Sequence, residues 1–145
     1  MKKFFLVAFS AALFSFSACA DHDQLITFAQ LPAPAQALVQ QHFDPALVSF
    51  VTKDREWFGF EYNVRLNDGT ELKFENDGSL HKVDCQYRAV PDALVPEIVR
   101  RQVQGVAPQT VIVEWGKDDR GWKAELSNKL EIKFDRNLRM IGVDD

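Results

Sequence analysis

Residues 61–85 read EYNVRLNDGTELKFENDGSLHKVDC, and residues 121–145 read GWKAELSNKLEIKFDRNLRMIGVDD. At a constant offset of 60 the two stretches are one segment written twice. Leu66 falls on Leu126, Glu71 on Glu131, Leu72 on Ile132, Lys73 on Lys133 and Phe74 on Phe134. Glu75, Leu80, Val83 and Asp84 then fall on Asp135, Met140, Val143 and Asp144 without a gap. A repeat of this length fixes architecture better than local propensity does. It does not fix chemistry.

Working outward, the alternation of side chains reads as strand. Phe58, Phe60, Tyr62, Val64 and Leu66 alternate with Trp57, Gly59, Glu61, Asn63 and Arg65. That is the pattern of a half-buried strand with one wet face. Asn67-Asp68-Gly69 predicts a hairpin turn, because Asn and Gly tolerate positive φ. Leu72 and Phe74 resume the buried face, Asn76-Asp77-Gly78 predicts a second turn, and 79–84 closes the unit. Trp122, Ala124 and Leu126 begin the matching strand in the second copy, and 139–144 ends it. Upstream, 46–53 and 110–117 are rich in β-branched residues and predict a further strand each.

Each copy also carries a helix. An apolar residue followed by proline opens each repeat, Leu31-Pro32 and Val90-Pro91. Proline suits a first helical turn, where its missing N–H would be unpaired anyway. The first helix is predicted over 33–43, with Ala35, Leu38, Val39 and Phe43 on its apolar face. In the second copy Pro96 interrupts, so 91–94 reads as a turn and 96–104 as the helix. Ile98, Val99, Gln102, Val103 and Val106 share one side, and Gly105 is the expected stop. The fold class is therefore α+β: two tandem repeats, each a helix packed on a roughly four-stranded antiparallel sheet. Residues 21–29 read as a polar-to-apolar lead, flexible at Asp21-His22-Asp23.

The first 20 residues stand apart. Lys2 and Lys3 precede a short apolar run from Phe4 to Phe16, and Ser17-Ala18-Cys19-Ala20 ends in Ala-x-Ala. This predicts a signal peptide over 1–20, with cleavage after Ala20 and a periplasmic product. Phe16-Ser17-Ala18-Cys19 also reads as a lipobox, which would make Cys19 a lipidated first residue of an outer-membrane lipoprotein. The whole chain carries 17 basic and 21 acidic residues, a net charge of −4. Removal of the two leading lysines leaves about −6, which argues against nucleic acid and anionic membrane as partners. No transmembrane segment is expected in the mature chain. With Cys19 gone, Cys85 is the one thiol, so no internal disulfide is expected and the core must suffice.

Chemistry-bearing residues are sparse. No Gly-x-Ser-x-Gly, His-Glu-x-x-His or phosphate-cradling glycine loop is present, and Ser49, Ser79 and Ser127 sit in ordinary strand or turn contexts. The acidic turns lack the spaced oxygen ligands of a calcium loop and read as hairpins. His22 between Asp21 and Asp23 falls short of a closed metal site, because His42 and His81 are far away in sequence. His81 and Cys85 are too far apart along a strand, about 13 Å, for a thiol–base pair. Cys85 could instead link two chains. Glu61 and Glu71 are expected to pair with Lys73 or Arg65 across strands. Trp57 is placed on the wet face with Glu61, Asn63 and Arg65, either as a partner-binding anchor or as a cap on the sheet edge.

The order of these pieces resembles the PepSY-like family of exported bacterial proteins, several of them described as β-lactamase-inhibitory-protein-like. The resemblance is carried by Leu31-Pro32, Val90-Pro91, the Tyr62–Gly69 hairpin, Glu71–Gly78, Glu131–Asp135 and the junction Val83–Pro91, and it covers roughly 28–145. It implies repeat 1 over 21–85 and repeat 2 over 86–145, packed as one unit and exported to the periplasm. It also implies inhibitors or binding modules as the functional class, with no inhibitory contact residue to carry over. The expectation is a non-catalytic module, not an enzyme, without a cofactor. It would bind an exported protein through the open sheet face, with Trp57, Glu61, Arg65 and Lys73 as contact residues. The alternative is a small-ligand or metal carrier using a crevice between the repeats. The residues that differ between copies, such as Arg65 against Glu125 and His81 against Ile141, are where function is expected.

Overall fold

The computed structural model describes residues 23–145; the expected signal peptide, Cys19 and His22 lie outside the described residues. Nine strands form one antiparallel sheet in strict chain order. They are β1 (Gln24–Ile26), β2 (Val48–Glu56), β3 (Gly59–Leu66), β4 (Glu71–Phe74), β5 (Leu80–Asp84), β6 (Ile112–Asp118), β7 (Gly121–Leu126), β8 (Glu131–Asp135) and β9 (Met140–Asp144). Helix α1 (Ala33–His42) precedes β2, and α2 (Glu97–Val106) precedes β6. The expectation of a roughly four-stranded sheet for each repeat gives way to one shared nine-stranded sheet. β5 pairs with β6 through Lys82–Gly116, Val83–Trp115 and Asp84–Glu114, so the repeats share one sheet. Backbone hydrogen bonding occupies the junction, which leaves no crevice between those two strands for a carrier site.

A strand that the alternation does not predict lies within the lead. β1 pairs with β2 from Gln24–Lys53 to Ile26–Val51. A three-residue strand is too short to announce itself by alternation.

Both helices lie on one face of the sheet and bury it. Directly opposed residues share a face, so the register defines rows. One row runs Ile26, Val51, Val64, Leu72, Val83, Trp115, Ala124, Ile132 and Val143. Most of it is core, closed by Ala35 and Val39 of α1 and by Val99 and Val103 of α2. Trp115 is 2% exposed and stacks on Trp122 at 5.1 Å between ring centroids. Ile98 and Val106 were expected to face inward but are exposed. α2 presents only a narrow i, i+4 stripe to the sheet. Its Gln102 turns inward to clamp the β8–β9 turn, donating to the Leu138 carbonyl and accepting from Met140 N–H. The helix also runs through Gly105, one residue past the expected stop.

The structure changes the repeat itself. Pro32 and Pro96 are the matching helix caps, with φ/ψ of −53°/143° and −55°/140°. Val90-Pro91 is not the counterpart of Leu31-Pro32; it precedes a 3₁₀ turn at Asp92–Leu94. The copies are thus offset by 64 through the helix and first long strand, where Val51 opposes Val64 as Trp115 opposes Ala124. The offset is 60 afterwards. The four-residue difference lies in one hairpin. In repeat 2 the chain turns at Asp119-Arg120 immediately after the pair Asp118–Gly121. In repeat 1 the equivalent pair Asp54–Glu61 is followed by two more, Arg55–Phe60 and Glu56–Gly59, before the turn at Trp57-Phe58.

Candidate binding surfaces: the open sheet face and the aromatic hairpin

The sheet face away from the helices is organised by register. One row reads Thr52, Asn63, Lys73, Lys82, Gly116, Lys123, Lys133 and Gly142. The next reads Arg65, Glu71, Asp84, Glu114, Glu125, Glu131 and Asp144. Four lysines therefore lie beside six carboxylates. Like charges sit directly opposite one another, which is unfavourable. Most of the compensation is diagonal, from row to row: Lys82–Glu114, Lys123–Glu114, Lys123–Glu131 and Lys133–Asp144. Glu114 is the most enclosed acid, 7% exposed, held between lysines at 3.2 and 3.7 Å from the flanking strands. The Lys123 ammonium titrates above the usual lysine value, because it hydrogen-bonds Glu131 and faces several acids, against the opposing effect of burial. This lysine row could not be found in the sequence before the register of four strand pairs was known.

Three of the expected contact residues meet on this face. Arg65 pairs with Glu71 at 2.5 Å and Lys73 with Glu61 at 3.4 Å, which are the cross-strand pairs the alternation predicted. With Thr52, Asp54 and Asn63 they line a shallow groove of about 380 Å³. The Asn63 Oδ1 atom is buried there without a hydrogen-bond partner.

Trp57 is not among them, and its placement on the wet face is corrected. It lies at the apex of the β2–β3 hairpin, 88% exposed, beside Phe58, 79% exposed. Their ring centroids are 4.6 Å apart. Phe58 and Phe60, expected to be buried, are exposed there as well, Phe60 at 37%. The alternation Trp-Phe-Gly-Phe runs straight through the turn, so it reads as a strand that the backbone interrupts. Gly59, at φ +145°, makes that turn in a conformation L side chains avoid, with Asn76 packed against it. Asn76 Oδ1 accepts from Phe60 N–H.

With fold and surfaces in place, comparison with known proteins is decisive for kinship. The family profile described as "Putative beta-lactamase-inhibitor-like, PepSY-like" matches twice, over residues 19–80 and 60–142. This chain belongs to the PepSY-like family. The solved structure of a "putative periplasmic protein" of the DUF2874 family from Bacteroides vulgatus is 33% identical, with a TM-score of 0.82 over 87% of this chain and 99% of that one. A "putative calcium-regulated periplasmic protein" from Bacteroides thetaiotaomicron is 28% identical, with a TM-score of 0.81 over the same shares. A second Bacteroides vulgatus periplasmic protein, of unknown function, is 25% identical, with a TM-score of 0.78 over 85% and 99%. No curated protein matches the sequence.

In this PepSY-like chain the remaining candidates are tied up structurally. Asp68 accepts from Thr70 N–H and pairs with Arg88, and Asp77 accepts from Ser79 N–H. The acidic turns thus spend their carboxylates on their own backbone. Among the described residues no group of three or more His, Cys, Asp or Glu side chains is arranged to hold a metal. Glu75 sits between Ser79, His81 and Lys117, so the carboxylate separates the hydroxyl from the imidazole. A hydroxyl nucleophile needs the imidazole next to it. Burial raises the Glu75 carboxyl, but its hydrogen bonds to Lys117, Ser79 and His81 and the Lys117 charge outweigh that and hold it below the usual value. Cys85 is 3% exposed. Burial first, then the Asp84 charge, pushes its thiol up to about 11. An enclosed, protonated thiol does not favour the inter-chain link that Cys85 could form.

Proposed function

We propose that this chain is an exported, non-catalytic binding module whose open sheet face contacts a periplasmic protein, with inhibition as the role class its family's description supplies. The observation that carries this reading is the sheet face, nine strands wide, that neither helix covers, with a lysine row laid against a carboxylate row across both repeats. Its ion pairs are mutually neutralising, so recognition there rests on matching the pattern rather than on bulk charge. The Glu61–Arg65–Glu71–Lys73 groove supplies a local point of contact. The periplasmic description of three similar structures supports the compartment.

The test is site-specific photo-crosslinking in the exporting cell. A photoreactive residue at Thr52 on the open face is expected to give a discrete protein adduct. The same residue at Ile98, exposed on α2, is expected to give none. Adducts from Ile98 and none from Thr52 would place the contact on the helical layer and end the open-face reading.

A further inference from the structure

We propose that the Trp57–Phe58 apex is a membrane-interface anchor, seated in the headgroup region of a phospholipid bilayer. The apex exists only because repeat 1 carries four residues that repeat 2 lacks. Two ladder steps lift the aromatic pair about 7 Å beyond the charged Asp119-Arg120 turn of its counterpart. Among the described residues Trp57 and Phe58 pack chiefly on each other and stay 88% and 79% exposed. Aromatic rings on a convex tip suit a layer that is apolar on one side and wet on the other.

The residues behind the tip fit the same setting. Lys53 Nζ lies 3.8 Å over the Phe60 ring and 5.8 Å from that of Tyr62, and Arg55 opposes Phe60. Long cationic side chains one step back from an apolar tip can run their stems along it and keep their charges at headgroup level. Asp54, Glu56 and Glu61 occupy the other side of the hairpin, so the tip suits a zwitterionic surface and needs no anionic lipid.

The path of the chain favours a bilayer over a protein groove or a second copy. β1 runs antiparallel to β2 with Gln24 opposite Lys53. The chain before Gln24 therefore leaves from the same end of the sheet as the apex. Trp57 lies four residues beyond Lys53, about 13 Å, and Cys19 lies five residues before Gln24, about 17 Å when extended. Lipidation at Cys19, in place of cleavage after Ala20, would bring the tip to the bilayer surface.

The experiment uses the chain as processed and purified from the exporting cell, reconstituted into phosphatidylcholine vesicles with brominated acyl chains. Trp57 is the exposed indole, Trp115 is buried and Trp122 is stacked on it, so the Trp57→Phe chain gives the background. Trp57 emission is expected to shift to the blue, to lose about half its intensity to brominated lipid, and to resist aqueous iodide. Phe58→Ala, with its fold checked by circular dichroism, is expected to reduce the bromine quenching. The proposal is overturned if Trp57 of vesicle-bound chain stays open to iodide and indifferent to bromine. It is equally overturned if the blue shift appears without lipid as protein concentration rises, which would mean a second copy. A shift seen only on adding a periplasmic protein would also overturn it.

Discussion

Replacing Arg55–Phe60 by the Asp-Arg pair that turns β6 into β7 should leave a folded protein with a modestly lower melting temperature. The exchange cuts the hairpin at the pair Asp54–Glu61, which matches Asp118–Gly121 in the other copy. Trp57 and Phe58 contribute almost nothing to the core, being 88% and 79% exposed. Phe60 is roughly two-thirds buried, worth about 1–2 kcal/mol. Its contact with Lys53 adds about 0.5–1 kcal/mol, and the bond from Phe60 N–H to Asn76 about 0.5 kcal/mol. The entropy recovered from four fewer ordered residues is largely cancelled by the ladder hydrogen bonds lost with the pairs Arg55–Phe60 and Glu56–Gly59. A net loss of about 1–3 kcal/mol corresponds to a drop of about 3–10 °C for a chain of this size. Calorimetry reads the drop, and far-UV circular dichroism reads the retained sheet. A fall beyond about 15 °C, or loss of the β signal, would refute the reasoning. It would show that the extra ladder pairs set the β2–β3 register and are not an addition to a finished scaffold.

Phe74→Ala and Phe134→Ala remove equivalent, fully buried rings, so each should cost about 3–5 kcal/mol in denaturant unfolding; a large inequality would deny that the copies share the core evenly. Lys129 adopts φ +74° where repeat 1 has Gly69 at +91°. Lys129→Gly should therefore stabilise by about 0.5–1 kcal/mol despite losing the exposed pair with Glu125, and a lower midpoint would refute the strain argument. Cys85, with its thiol raised to about 11, should resist aromatic disulfide reagents at pH 8 until denaturant is added, and non-reducing electrophoresis should show a monomer. The Glu75 carboxyl is held below its ordinary value of 4.5 by the fold. Its contribution to stability is present above that value and is lost as pH falls through the lowered folded one, so Glu75→Gln should lose less stability on acidification than the parent.

The strands of each copy were legible because a side-chain period of two survives wherever one face is buried. Val64, Leu66, Leu72 and Phe74 could be placed on the core side from sequence alone. β1 could not, since Gln24–Ile26 is too short to show a period. The apex was misread because Trp57, Phe58 and Phe60 carry strand-like residues across a turn whose only signal is Gly59. The helix match failed because two apolar-proline pairs stand five residues apart, Val90-Pro91 and Val95-Pro96, and the first was matched to Leu31-Pro32. Turns at Lys129 and Leu138 were hidden for another reason: both take positive φ without glycine, a cost met by the register of the ladders around them. The Arg65–Glu71 and Lys73–Glu61 pairs were legible because they join neighbouring strands of one copy. Lys82–Glu114 was not, because it crosses the junction between copies.

The two surfaces differ in what the duplication says about them. The charged rows run through both copies, because β3–β5 and β7–β9 repeat at an offset of 60 and keep Lys73 with Lys133 and Glu71 with Glu131. Those residues help the scaffold hold together, so substituting them perturbs stability and binding at once. The aromatic apex is confined to the one place where the offset breaks. It can be removed by shortening the hairpin to the length it has in the other copy. The apex also points along the strands, while the open face looks across them. A chain held at the bilayer by its tip and its N-terminal segment would stand with its strands steep to the membrane, and the charged face would remain free to meet a partner from the side. Anchoring and recognition are therefore separable on the proposed reading: apex variants should lose lipid contact with the Thr52 crosslink intact.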